Sequence, residues 1–415
     1  MADVKKIFPM GVLGLAAALV LSACGGSGAG DELSGTAATG EPIVVGAQAP
    51  LKGATAYPQS GFGIEAAEYY INEVLGGIHG RPVEVDVCSG DGSPETSINC
   101  ANGFVSKKVP LVIDAVDQSM GAAVPILGSA NIPIIGTLAG SFVADKAGYG
   151  KAFYFTGPVS FASLSSMTLF DSMGKKSASL AVNESPTSHA YVDDLIRPIA
   201  ENLGIDIKVQ YPPAAGANLN VVAATQISDT PDVAGVIALP EDACTALFTA
   251  LRRQGYDGTI LAGSCSQFID EMGAQGAGIV TQPRLWVPLA KESAPPKVQE
   301  ELDIFEMSMQ AVGHGEELSS RSLYTFAALV NIANVLNAAG TQEITAQSVT
   351  AAFEKVTDFE SFAGPTVTCD GKQWPDVATT CNAQAIFFEV QQDGTLAPVN
   401  EAGYVDLDLS ALPKP

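Results

Sequence analysis

The chain has 415 residues, 47% of them hydrophobic, with 42 Gly and 25 Pro. This is ordinary globular composition, far from the disordered and fibrous classes, and long enough for two or three domains with cores of their own. The formal charge is −24, from 21 Lys+Arg against 45 Asp+Glu; phosphate backbones need basic patches, so nucleic acid is not expected as a partner, and an anionic membrane surface repels such a protein. The acidity reads as a solubility device and does not fix the charge of anything the protein binds.

At the N-terminus, Lys5 and Lys6 precede an apolar stretch over residues 7–21, shorter than the ~20 residues of a membrane span and arranged like an export signal. It ends in Leu21-Ser22-Ala23-Cys24, which resembles a lipobox: in such signals the peptide is cut before the cysteine, and the cysteine is then diacylated. An ordinary signal peptide with a chance Cys24 is the rival reading. Residues 25–41 are rich in Gly, Ser, Ala and Thr and read as a flexible tether. No later stretch looks long and apolar enough to span a bilayer, so the folded part is expected from about Pro42, outside the cytoplasmic membrane.

The pattern then alternates short apolar runs with amphipathic stretches, as in βαβ units. Strands are expected at 43–47, 83–87, 111–116, 133–135 and 153–155. A helix at 59–75 sets Ile64, Ala67, Ile71 and Val74 on one face. A second set has strands at 179–182, 207–211, 236–239 and 260–262, with helices at 191–203 and up to 254. Residues 284–288 read as a crossing segment, followed by helices at 297–312 and 322–339 and a hairpin of strands 385–390 and 394–399.

Cys88, Cys100, Cys244, Cys265, Cys369 and Cys381 remain after Cys24 is set aside. An even number in an exported chain implies disulfides. Several pairings are open, and proximity favours 88–100, 244–265 and 369–381. Metal ligation is the alternative, but there is no CxxC and only His79, His189 and His314 are available, so neither a metal nor a cofactor is expected.

Three segments carry a resemblance to a known family. IVVGAQAPLKGATAY (43–57) leads into a helix with Ile71-Asn72-Glu73; Gly76-Gly77-Ile78-His79-Gly80-Arg81-Pro82-Val83-Glu84-Val85 turns into the second strand; and Asn131-Ile132-Pro133-Ile134-Ile135-Gly136 enters the fourth. Phe359-Glu360-Ser361-Phe362-Ala363-Gly364 adds a partial match. In order and spacing these resemble the type I periplasmic binding proteins, in particular the branched-chain amino-acid binding group of ABC transporters. The resemblance implies an α/β fold of two lobes, each a mainly parallel sheet flanked by helices, joined by three hinge crossovers near 157–160, 286–288 and within 360–390. One lobe would hold residues 42–158 and about 288–385, the other 159–287 and about 386–415, with a ligand in the cleft between them.

In open parallel sheets, ligands lie past the C-terminal strand ends, where helix N-termini suit a carboxylate. This places candidates after each strand. Tyr57 sits where the resemblance implies an aromatic cover; it also suits a tyrosine packing on its own lobe. Gln118 and Ser119 follow the third strand. The resemblance gives Ser119 the ligand carboxylate, and a helix N-cap fits it equally. Leu138, Ala139, Gly140 and Ser141 follow the fourth strand. Gly140 stands where the family has a threonine, leaving Ser141 or the backbone to serve. Ser188 and His189 align with a stacking tyrosine. Glu241 and Asp242 open a helix, as receivers of a ligand ammonium or as dipole-capping charges. The family's own amino-group carboxylate aligns near Cys265 and is missing.

No Gly-x-Ser-x-Gly elbow, HExxH or phosphate loop is present, so no enzyme is expected. The expected protein is a lipid-anchored, monomeric solute-binding protein serving an ABC permease. A ligand-sensing lipoprotein of the same fold is the alternative.

Overall fold

The computed structural model describes residues 33–53, 56–213 and 215–413. The export signal and Cys24 lie outside the described residues. Residues 36–40, expected as part of a free tether, are instead docked: the N–H groups of Thr36 and Ala38 donate to the carbonyls of Val74 and Asn72, and those of Thr39 and Gly40 to Gly80.

The first lobe is built from β1 (Ile43–Ala49), α1 (Gln59–Tyr69), β2 (Val83–Ser89), α2 (Pro94–Lys107), β3 (Val112–Asp114), α3 (Val124–Ser129), β4 (Ile134–Gly136), α4 (Phe142–Asp145) and β5 (Ala152–Tyr154). Its sheet is wholly parallel, in the order β2-β1-β3-β4-β5. Burial on both faces explains why the central strands β1, β3 and β4 read as largely apolar runs, whereas the edge strand β2 alternates and is only partly buried. In the quoted turn, Asn72 clamps the start of β2, its side chain donating to the Val83 carbonyl at 2.8 Å and accepting the Val83 N–H at 2.7 Å.

The second lobe takes α5 (Phe161–Ser172), β6 (Ser177–Val182), α6 (Pro186–Tyr191), α7 (Arg197–Asn202), β7 (Asp206–Gln210), α8 (Leu219–Ile227), β8 (Val233–Ala238), α9 (Glu241–Arg253), β9 (Thr259–Leu261), α10 (Phe268–Met272) and β10 (Ile279–Thr281). The helix expected from 191 begins one turn and more earlier, because Ser185 caps it by accepting the Ser188 N–H and Pro186 suits its first position. The chain returns to the first lobe as α11 (Pro296–Ala311), α12 (Ser320–Ala339) and α13 (Ala346–Phe353), with α11 and α12 packed on α1.

Short β11 (Phe359–Glu360) and β12 (Thr366–Val367) pair with each other, as do β13 (Gln384–Ala385) and β16 (Val405–Asp406). Finally β14 (Phe388–Val390) and β15 (Leu396–Pro398) add an antiparallel edge to the second sheet, ordered β15-β14-β10-β9-β8-β6-β7. The chain thus crosses between sheets three times, after β5, after β10 and before β14.

One expectation needs correcting. Helix α12 is long and apolar enough to cross a membrane, with a mean hydropathy of 1.3, but 78% of that window is buried. Its apolarity serves the core, where Phe326 meets Phe305 and Phe362 at ring separations of 5.3 Å each. A Ser319/Ser322 capping box starts the helix.

The structure pairs Cys88 with Cys100, Cys244 with Cys265 and Cys369 with Cys381. The first ties the end of β2 to α2, and the second ties α9 to the loop after β9.

Candidate ligand-binding site

The end of β3 is the most constrained part of the first lobe. Asp114 is buried; its Oδ1 accepts the Asp117 N–H at 3.0 Å, and its Oδ2 accepts the Gly140 N–H at 3.1 Å and the Tyr154 hydroxyl at 3.0 Å. These bonds hold Val116 at φ +63°, a strained backbone for a β-branched residue. Asp117, also buried, accepts both the N–H and the hydroxyl of Ser119 on Oδ1, at 2.8 and 2.7 Å. Gln48 donates to the Ser119 Oγ at 3.3 Å. The Ser119 hydroxyl proton is therefore committed to Asp117 and is not free for a ligand carboxylate.

Two glycines close this turn. A Cβ on Gly140 would lie 2.1 Å from the Asp117 carbonyl oxygen, and one on Gly90 would lie 2.0 Å from Asp117 Oδ2. The threonine of the family pattern has no room at 140. Asp117 Oδ2 is sealed beneath Gly90 with no hydrogen-bond partner.

Burial pushes the Asp114 carboxyl up to about 7, against three donated hydrogen bonds that pull it down. Burial likewise raises Asp145 to about 6. Both groups bind protons more tightly in the folded chain, so the stability they supply is full below about pH 4 and is lost as pH rises towards 7. The loss is of order a few kcal/mol. The melting temperature is expected to be higher at pH 5 than at pH 7.5, as checked by calorimetry; a flat or rising profile would contradict the burial assignment.

Around this turn, Ser141 caps α4 by accepting the Ala144 N–H at 3.3 Å. Ala139 is buried, Leu138 partly so, and Gln118 is exposed. Tyr57 stands on the same lobe with the Arg321 guanidinium stacked 4.2 Å above its ring. The structure thus gathers Ser119, Gly140 and Ser141 about Asp117 and gives Tyr57 a cationic neighbour from α12.

In the second lobe, Ser188 and His189 lie on α6. The Ser188 hydroxyl bonds Ser185 at 2.8 Å; the His189 ring stacks on Tyr211 at 3.9 Å and its Nε2 meets Glu184 at 2.9 Å. Glu241 is engaged elsewhere than on a ligand: its carboxylate accepts the Ser266 N–H and hydroxyl and the Gln267 N–H, at 3.0 to 3.2 Å. It pins the loop beside the Cys244–Cys265 bridge. Asp242 is exposed and accepts the Ala243 N–H. Three donors thus hold the Glu241 carboxylate on that loop, while Asp242 accepts only the N–H of its own neighbour.

Sequence reading named 284–288 as a crossing segment and missed its leading residue. The Arg284 guanidinium donates to the carbonyls of Gly157 and Pro158 at 3.0 and 3.3 Å and stacks 3.9 Å over the Phe161 ring. Its backbone N–H donates to the Tyr324 hydroxyl, and its carbonyl accepts from the Tyr404 hydroxyl, both at 3.2 Å. One residue thereby joins the first two crossovers to α12 and the C-terminal segment. Nearby, Phe142 of the first lobe faces Tyr191 of the second at 6.3 Å. The signal was an arginine inside an otherwise apolar crossing segment. A separate hollow of about 800 Å³, lined by Lys297, Asn334 and Phe359 among others, is lined by no strand-end residue of either parallel sheet.

Two parallel sheets with covered faces, crossed three times by the chain, with polar residues at the strand ends, define a two-lobed α/β binding fold. The model of the family "Periplasmic binding protein" matches residues 42–395, and the chain belongs to that family. Among curated protein sequences, none matches it. Among solved structures it is similar to a leucine binding protein from Thermotoga maritima MSB8, at 14% identity over 88% of this chain and 99% of that one, with a TM-score of 0.65. It is also similar to a substrate-binding periplasmic protein from Ralstonia solanacearum, at 16% identity over 86% and 99%, with a TM-score of 0.66. An extracellular ligand-binding receptor from Rhodopseudomonas palustris HaA2 matches at 16% identity over 87% and 100%, with a TM-score of 0.65.

Proposed function

We propose that this chain is the solute-binding protein of an ABC importer, held on the outer face of the cytoplasmic membrane by lipid on Cys24. It closes its two lobes over a small polar solute and hands it to the permease as a monomer, without turning it over and without a cofactor. Residues 42–158 with about 288–385 form one moving lobe, and 159–287 with about 386–415 the other. Tyr57, Ser141 and the strand-end backbone line one wall; Ser188 and His189 stand on the opposite one. The observations that carry this reading are the three crossings of the chain between the sheets and the approach of Phe142, which follows β4, to Tyr191, which follows β6, an arrangement in which closure would trap a ligand. The export signal and tether in the sequence support the location.

The test is thermal denaturation of the full-length chain in mild detergent against aliphatic amino acids, small amides and small carboxylates. A solute at about a hundredfold excess over its Kd adds about 2.7 kcal/mol, a visible upward shift. Consumption of any of these solutes by the purified chain would instead make it an enzyme and sink the proposal.

A further inference from the structure

We propose that the ligand of this cleft is an organic acid whose carboxylate seats on the Arg284 guanidinium. The inference rests on the solute-binding reading above and names the ligand class.

Arg284 has five N–H groups on its side chain. Two go to the Gly157 and Pro158 carbonyls, which are neutral. Asp145, the carboxylate that acts on it electrostatically, spends Oδ2 on the Val159 N–H at 2.7 Å, while its Oδ1 is buried without a hydrogen-bond partner. The guanidinium thus stays without a carboxylate hydrogen bond among the described residues, while the residue keeps partial exposure. It is also held still: Phe161 fixes the plane, two carbonyls fix the edge, and two tyrosine hydroxyls fix the backbone. A rigid guanidinium with three of its five N–H groups not engaged by the described residues is suited to a planar carboxylate. Burial draws its pKa down to about 10, so it stays charged at neutral pH.

Ser119 gives its proton to Asp117 and offers none to a carboxylate. In the second lobe, Glu241 is engaged by Ser266 and Gln267 and Cys265 is tied into its disulfide, while Asp242 accepts only the Ala243 N–H. A second guanidinium, Arg321 over Tyr57, lies on the α12 side.

Isothermal titration of the full-length chain would compare acid and amide pairs, benzoate with benzamide and succinate with succinamide, beside leucine, isoleucine and valine. The expected result is binding of an acid with at least about tenfold preference over its amide. Arg284→Met should weaken that acid by about a hundredfold and Arg284→Lys by less, because a lysine keeps the charge without the fork. Circular dichroism and melting of both variants guard against misfolding, and the acid/amide comparison needs no variant. Equal binding of acid and amide, or unchanged affinity of the bound acid or amino acid in a folded Arg284→Met, would overturn the charge assignment and leave the binding-protein reading standing. Silence from every probe would overturn both.

Discussion

Gly140→Thr, which installs the hydroxyl that the family pattern places at this position, is expected to destabilise the chain by about 3 kcal/mol rather than improve its site. Overpacking costs about 1–3 kcal/mol when neighbours can shift. Here the obstructing atoms are backbone: the new Cβ falls 2.1 Å from the Asp117 carbonyl oxygen and 2.5 Å from its carbon. To make room, the loop after β4 must lift off the β3 turn. That movement breaks the 3.1 Å bond from the Gly140 N–H to Asp114 and strips a donor from a buried carboxylate. Chemical denaturation should show the midpoint falling, and ligand affinity should fall with it, because Ser141 of the proposed wall is positioned by the same loop. Gly140→Ala should lose nearly as much, since the clash is at Cβ. An alanine variant within 0.5 kcal/mol of the parent would show that the loops are not packed as described.

Phe326→Ala should cost about 3–5 kcal/mol, the range for a fully buried phenylalanine. The ring is 0% exposed in the middle of α12. It stands 6.0 Å from Tyr70 and 5.3 Å from both Phe305 and Phe362. It therefore links the π-helical turn Tyr70–Val74 that follows α1, helix α11 and the segment after β11. The three rings hold a cavity open rather than collapsing into it, so most of the lost volume remains empty. Phe326→Leu should recover more than half the loss. Differential scanning calorimetry would check both. A loss below about 1.5 kcal/mol for the alanine variant would mean that α12 is not a core helix, and its apolarity would need another explanation.

Much of the fold was legible in the chain because its strands are buried on both faces. Residues 43–47 and 179–182 read as strands for that reason, and both lie in parallel sheets. Short elements without a pure period were not legible. Helix α2 mixes Ser, Thr, Asn and Cys with few apolar residues, and β10 is three residues between turns.

The sequence by itself determined the alternation of strands and helices, the cysteines that lie close enough to pair, and the strand ends after which candidate residues fall, because these are local properties of order and spacing. It also determined that Gly140 breaks the family pattern. Only the tertiary structure decided what each candidate is free to do. Ser119 is spent on Asp117, and Glu241 on Ser266 and Gln267. Arg284 joins Gly157 and Pro158, 127 and 126 positions away, and has no carboxylate hydrogen bond among the described residues. Hydrogen-bond capacity is consumed by neighbours in space, and residues that far apart become neighbours only when the chain has folded.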